Sequence, residues 1–141
     1  MRTTTTVAVI AAALAASLTA CSQAPETPAS RAAAADARRA CRAARINPGS
    51  TFQPNGQGIA PDDVDTLRSV KEAADWAADA AVRDKGWTSL ADALSVAASQ
   101  MRQAKAYAEK TGVPALAPDQ EAFKDAVNTV FAACRRAYTT D

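Results

Sequence analysis

Residues 88–112 read TSLADALSVAASQMRQAKAYAEKTG. Leu90, Leu94, Ala97, Met101, Ala104 and Ala108 recur in this stretch at alternating steps of four and three, with polar side chains in most of the intervening positions. That spacing lays an apolar stripe along one side of a helix, the a/d seam of an element packed against neighbours. The helix starts at Thr88 or Ser89 and ends at Gly112 and Pro114. Glycine takes the left-handed position that closes a helix, and proline does not continue one. One long, well-bounded helix makes an all-α domain the first expectation.

The same reading extends outward in both directions. A fourth helix begins near Pro118 or Asp119 and turns Phe123, Val127, Val130, Cys134 and Ala137 inward, with Phe131 and Tyr138 on its flank. A second begins near Asp62, where Asp62, Asp63 and Asp65 favour the positive end of a helix dipole. Its expected stripe is Val64, Leu67, Val70, Ala74, Ala77 and Ala81. A first helix spans Ser30 to Arg45, capped by Ser30, with Ala34, Ala37, Cys41 and Ala44 on its inner face. Between the first two lies a loop, Asn47 to Pro61, broken by Pro48-Gly49, Pro54-Asn55-Gly56 and Gly58, with Phe52 and Ile59 expected to pin it. The expected fold is a small four-helix bundle over residues 30–141, in which helices two to four are antiparallel neighbours. The long connection leaves the first helix two options: to slide along its partner or to cross the bundle.

The amino end obeys a different pattern. Val7 to Leu18 is apolar except for Ser17, and Arg2 is the only charged side chain before it. Twelve helical residues span ~18 Å, short of a ~30 Å hydrocarbon core. Ser22 to Pro28 breaks the run at once, and Leu18-Thr19-Ala20-Cys21 closes it. A positive end, an apolar run and small residues before a cysteine resemble a bacterial lipoprotein signal peptide ending in a lipobox. The resemblance implies that residues 1–20 are removed. It also implies that the Cys21 sulfur carries a diacylglycerol with palmitate-type chains and that residues 21–29 form a tether. The protein would then sit on the extracytoplasmic face of the cell membrane. An ordinary secretory signal cut after Ala20, leaving a free Cys21, is the alternative. The rest of the chain, rich in Ala and in Arg over Lys, is similar to small actinobacterial lipoproteins in composition alone.

Export to an oxidising compartment bears on the other two cysteines, because disulfides persist there. With Cys21 acylated, Cys41 and Cys134 form an even pair, and a bridge between them is expected. Two separate buried thiols are the alternative. A staple suits this core: from Cys21 onward only 21 side chains are large and apolar, and alanine supplies much of the remaining hydrophobic fraction. The formal charge is +1, and without Arg2 it is zero, with 15 basic and 15 acidic side chains. Sparse hydrophobicity with high net charge gives disorder; here there is no net charge and strong periodicity, so one small folded domain is expected.

Several residues stand out as candidate sites. Arg38, Arg39, Arg42 and Arg45 crowd the end of the first helix, and Arg135 and Arg136 follow Cys134. A bridge would bring the two sets together. Cations near helix C-termini serve the dipole and can pair with the acidic face of helix two, Asp65, Glu72, Asp75 and Asp79. Alternatively Arg38, Arg42, Arg45, Arg135 and Arg136 form a basic patch for anionic headgroups, each charge contributing ~1 kcal/mol. Trp76 points about 160° from the expected stripe of its helix. Either the 47–61 loop or Trp87 covers it, or it is an exposed aromatic anchor, a residue type that carries interface energy. Tyr107 is a milder case.

Catalytic chemistry finds little support. The chain has no histidine, so it holds no Ser-His-Asp or Cys-His arrangement. Asn55-Gly56-Gln57-Gly58 reads as a turn and not as a phosphate loop. Two distant thiols and carboxylates without a calcium-loop glycine make no metal site. No cofactor is expected, and a neutral exported chain disfavours nucleic acid. The expectation is a non-catalytic envelope interaction module that reaches an envelope protein, a polymer or anionic lipid through Trp76, Tyr107 or the arginines. A small-molecule carrier with a cavity between helices is the alternative, and an enzyme is the weakest reading. Cys21→Ser should abolish lipid attachment, as read by intact mass or acyl labelling. Equal membrane retention of the two forms would refute the anchor, since one such tether supplies most of the affinity.

Overall fold

The computed structural model describes residues 27–50 and 63–140, which form four α-helices and one short 3-10 turn. The helices are α1 (Pro28–Ala43), α2 (Val64–Arg83), α3 (Thr88–Thr111) and α4 (Gln120–Thr139). The 3-10 turn, Lys85–Trp87, joins α2 to α3. The chain is an all-α bundle, as the periodicity predicts. Residues 1–26, with Cys21, and residues 51–62, with Phe52 and Ile59, lie outside the described residues.

Local chemistry sets the boundaries. Asp63 and Asp119 cap α2 and α4, their carboxylates accepting from Thr66 N–H at 3.1 Å and Ala122 N–H at 2.9 Å. Gly112 closes α3 at φ 75°. The start of α1 differs from expectation. Thr27, not Ser30, is the cap, its hydroxyl accepting from Ser30 N–H at 3.1 Å. Pro28 fits the first turn because it lacks the N–H that would have no partner there. The end of α1 also comes early. Arg45 turns left-handed at φ 59°, its N–H bonds to Arg42 O, and Ile46 N–H bonds back to Cys41 O. This is a Schellman closure with an arginine where glycine is the common choice.

Pairings across the helices fix their directions. Arg83 at the end of α2 meets Asp36 in α1, while Trp76, nearer the middle of α2, meets Arg39 further along α1. These two helices are therefore antiparallel. The short turn makes α3 antiparallel to α2, and α4 runs back along α3. Arg38 reaches Ala137 O and Thr140 O, while Cys41 meets Cys134. So α1 and α4 are antiparallel as well. Of the two options open to the first helix, sliding is the one taken: its early turns run past the end of α4. The start of α1 and the end of α4 share one end of the bundle with the α2–α3 turn.

The buried faces follow the predicted stripes most closely in α3. Leu90, Leu94, Ala97, Met101, Ala104 and Ala108 are all buried, and Ala93 and Ala98 join them. In α4 the buried set is Ala126, Val130, Ala133, Cys134 and Ala137, with Phe123, Val127, Phe131 and Tyr138 half-buried. The face of α2 is rotated from the predicted one. Ala73, Ala77 and Ala80 are buried, whereas Leu67, Val70, Ala74 and Ala81 are half-buried and Val64 is exposed. The reason is that α2 lies between α1 and α3, so its buried arc is wider than one seam and is centred on alanines.

The α3–α4 connection doubles back. Gln100 Oε1, about three turns before the end of α3, accepts from Asp119 N–H at 3.1 Å. So α4 starts well short of the end of α3. The last turns of α3 pack instead against a loop alanine, in a small separate cluster of Ala104, Ala108 and Ala115.

Cys41 and Cys134 sit at bonding distance, with sulfurs 2.03 Å and Cα atoms 5.6 Å apart. The closed loop has a sequence separation of 93, for which chain entropy gives about 4–5 kcal/mol. Replacing both cysteines by alanine should lower stability by several kcal/mol, and reductant should then no longer shift the melting curve. A double variant that melts with the oxidised parent would show that the bond contributes nothing.

Candidate functional site

The candidate surface residues do not form one patch. Arg38 is committed to the end of α4: its guanidinium donates to Thr140 O at 2.7 Å and to Ala137 O at 3.4 Å. The last carbonyls of a helix have no partner of their own, and a cation there also meets the negative end of the dipole. Arg136 is committed to the α2–α3 turn. It lies 4.1 Å from the ring centroid of Trp87 and donates to Gly86 O. Arg42, Arg45 and Arg135 are exposed. Two of the five predicted patch arginines therefore hold the fold, and three remain for solvent or a ligand.

Trp76 is covered at least in part from α1, and most of the loop expected to cover it lies outside the described residues. Arg39 of α1 lies over its ring, 4.9 Å from the centroid, and the indole packs half-buried against the core. The predicted stripe placed Trp76 on the far side of its helix. In the rotated arc it is only about 40° from Ala80. Tyr107 is 61% exposed on α3.

The structure adds a cluster that sequence reasoning missed. Asp36 is the one buried charged residue among the described residues, at 4% exposure. Arg83 pairs with one of its carboxylate oxygens, and Arg39 approaches the other at 3.4 Å. The Arg39–Asp36 spacing is a helical i, i+3 step and is visible in the chain. Arg83 is not, because it arrives from another helix. The acidic face of α2 plays a smaller part than supposed: Asp65 pairs with Arg68 at 3.4 Å and Asp75 with Lys71 at 3.0 Å, both on its own helix. Tyr138 completes the junction of α1 with α4 by donating its hydroxyl to Ile46 O at 2.7 Å. Burial pushes its phenol above the ordinary 10.0, and the positive charge of Arg42 offsets part of that rise.

Two surface features are left unspent. The first is apolar exposure at the far end of α3: Tyr107 at 61%, Val113 at 55% and Leu116 at 53%. The second is a groove of about 440 Å³ along α2 and α3, open on one side. Among the described residues no group of three or more His, Cys, Asp or Glu is placed to hold a metal ion. Nor is any described helix long and apolar enough to cross a membrane. No family model, curated protein or solved structure matches the chain.

The Asp36 cluster should respond asymmetrically to substitution. The carboxylate side chain is 6% exposed, whereas those of Arg39 and Arg83 are 53% and 45% exposed. Removing the acid returns two cations to water, but removing a cation leaves a buried charge short of a partner. Arg83→Ala should therefore cost about 1–3 kcal/mol, and Asp36→Ala clearly less. Urea unfolding of the two variants checks this, and equal losses would refute the asymmetry.

Proposed function

We propose that the chain is a lipid-anchored, extracytoplasmic lipoprotein whose helical domain is a non-catalytic binding module for an envelope protein or polymer. The anchor part rests on the signal-like amino end and the lipobox-like Leu18-Thr19-Ala20-Cys21. The binding part rests on one observation, that three of the exposed large apolar side chains lie toward one end of the bundle, with Val82 exposed toward the other. The chain enters α1 at Pro28, at the end shared by the close of α4 and the α2–α3 turn. Tyr107, Val113 and Leu116 are exposed at the opposite end.

A tether from Cys21 to Pro28 is short, reaching only ~25 Å even when fully extended at ~3.3–3.6 Å per residue. It holds the entry end close to the membrane. The 24 residues of α3 then carry the apolar end outward by ~36 Å at ~1.5 Å per residue. An apolar surface held away from the bilayer suits a partner in the envelope better than the lipid to which the chain is fixed. Exposed Arg42, Arg45 and Arg135 lie in the half of the bundle nearer the tether, where anionic headgroups favour cations. They would set the angle at which the domain stands.

A photo-crosslinking residue at position 107 of the full chain, irradiated in membranes, should give one discrete heavy adduct. The same probe at Asp79, exposed on α2, should not. Matching adducts from both positions, or none from position 107, would remove the case for a partner at this end.

A further inference from the structure

We propose that the groove between α2 and α3 binds a single-chain amphiphile with an acidic head, of the long-chain carboxylate type. The site is separate from the apolar end and does not depend on a partner there.

The groove arises from side-chain size. Where α2 and α3 face outward, Ala74, Ser95 and Ala98 are too short to fill the seam, while Val64 and Leu67 extend the apolar floor toward the start of α2. The volume, about 440 Å³, falls within the ~300–1,000 Å³ typical of small-molecule pockets. The groove follows two helices and is open along one side, a shape that takes an extended chain.

Charge supplies the second half of the argument. Arg68, Lys71 and Arg102 border the floor against a single carboxylate, Asp75. Asp75 is already paired with Lys71 at 3.0 Å. Arg68 has only a 3.4 Å contact with Asp65, both side chains being more than two-thirds exposed, and such pairs contribute little. Arg102 has no hydrogen bond or ion pair among the described residues. An apolar floor with a net positive border fits an apolar chain that ends in an anion. Arg68 reaches in from α2 and Arg102 from α3, so one acidic head can be held from both sides.

The probe is a photoreactive, alkyne-tagged palmitate analogue added to membranes that contain the full chain. The expected result is adducts mapping to the peptides bearing residues 64–75 and 95–102. A methyl ester of the same probe should label less, and so should the Arg68→Gln, Arg102→Gln double variant. Each loss should be about fivefold or more, the scale of a lost charge-assisted contact. Ala98→Phe should abolish labelling by filling the floor, with circular dichroism showing that the helices persist. Ala98→Ser keeps the volume and should label like the parent. Equal labelling by acid and ester would overturn the proposal, because the cations would then recognise nothing. So would adducts concentrated around Tyr107 and Val113, preferred labelling by a two-chain phospholipid probe, or no labelling of the parent.

Discussion

The domain depends on how α1 is held, because α1 has almost nothing apolar with which to hold itself. From Pro28 to Ala43 it carries no large apolar side chain; its buried residues are alanines, Cys41 and the charged Asp36. Alanine faces allow close approach of helix backbones, yet each contributes little area at ~25 cal/mol per Å². The bond from Cys41 to Cys134 fastens α1 to α4 where the two helices meet only over a short stretch. Around it stand Arg38 on the end of α4 and Tyr138 on Ile46 O, and the Asp36 cluster holds the other side of α1 to α2. One covalent link and a few guanidiniums take the place of hydrophobic bulk.

The same scarcity explains which parts of the fold were legible in the chain. In α3, leucine and methionine stand out from the alanines, so the seam can be read and every predicted position is buried. In α1 the predicted Ala34, Ala37 and Cys41 are buried and Ala44 half-buried, but in α2 alanine occurs on nearly every face, and a period cannot be selected from a residue that is neutral between inside and outside. The true arc of α2 was therefore missed, and Trp76 was placed on the wrong side of it. Proline and aspartate marked the helix starts well, because capping is local chemistry. Thr27 was the exception, hidden by a Ser three residues later that is an equally good cap by type. The disulfide could be read because setting Cys21 aside with the lipobox-like stretch leaves two cysteines to pair. The partner of Asp36 could not, since nothing local in the sequence connects it to Arg83.

Arginine in this chain has two uses that composition cannot separate. Arg38, Arg39, Arg83 and Arg136 lie over rings, carbonyls or a buried carboxylate. A planar guanidinium can stack and donate several bonds at once, so it tolerates a partly dry junction better than an ammonium does. Arg42, Arg45 and Arg135 are exposed, and of the three Arg42 also acts within the fold, through its charge beside Tyr138. Counting arginines near Cys41 and Cys134 thus overstated the free positive surface. The cations that remain less committed include Arg68 and Arg102, on another face of the molecule.

The bundle is also stepped, and this bears on where binding is placed. Because α4 begins beside Gln100, the main core, with Leu90, Leu94 and the bridge, fills the half of the molecule nearer the α2–α3 turn. The last turns of α3 rest on Ala115 and little else among the described residues. A region with few buried apolar contacts opens locally at lower cost than the core. Apolar side chains exposed on such a region lower the stability of the free domain, and a partner that covers them recovers area at once. The better-packed half holds α1, and the thinner half carries Tyr107, Val113 and Leu116, while Val82 is exposed near the end of α2. On the proposed reading, the apolar side chains left outside this sparse core at the end of α3 are what a partner would cover.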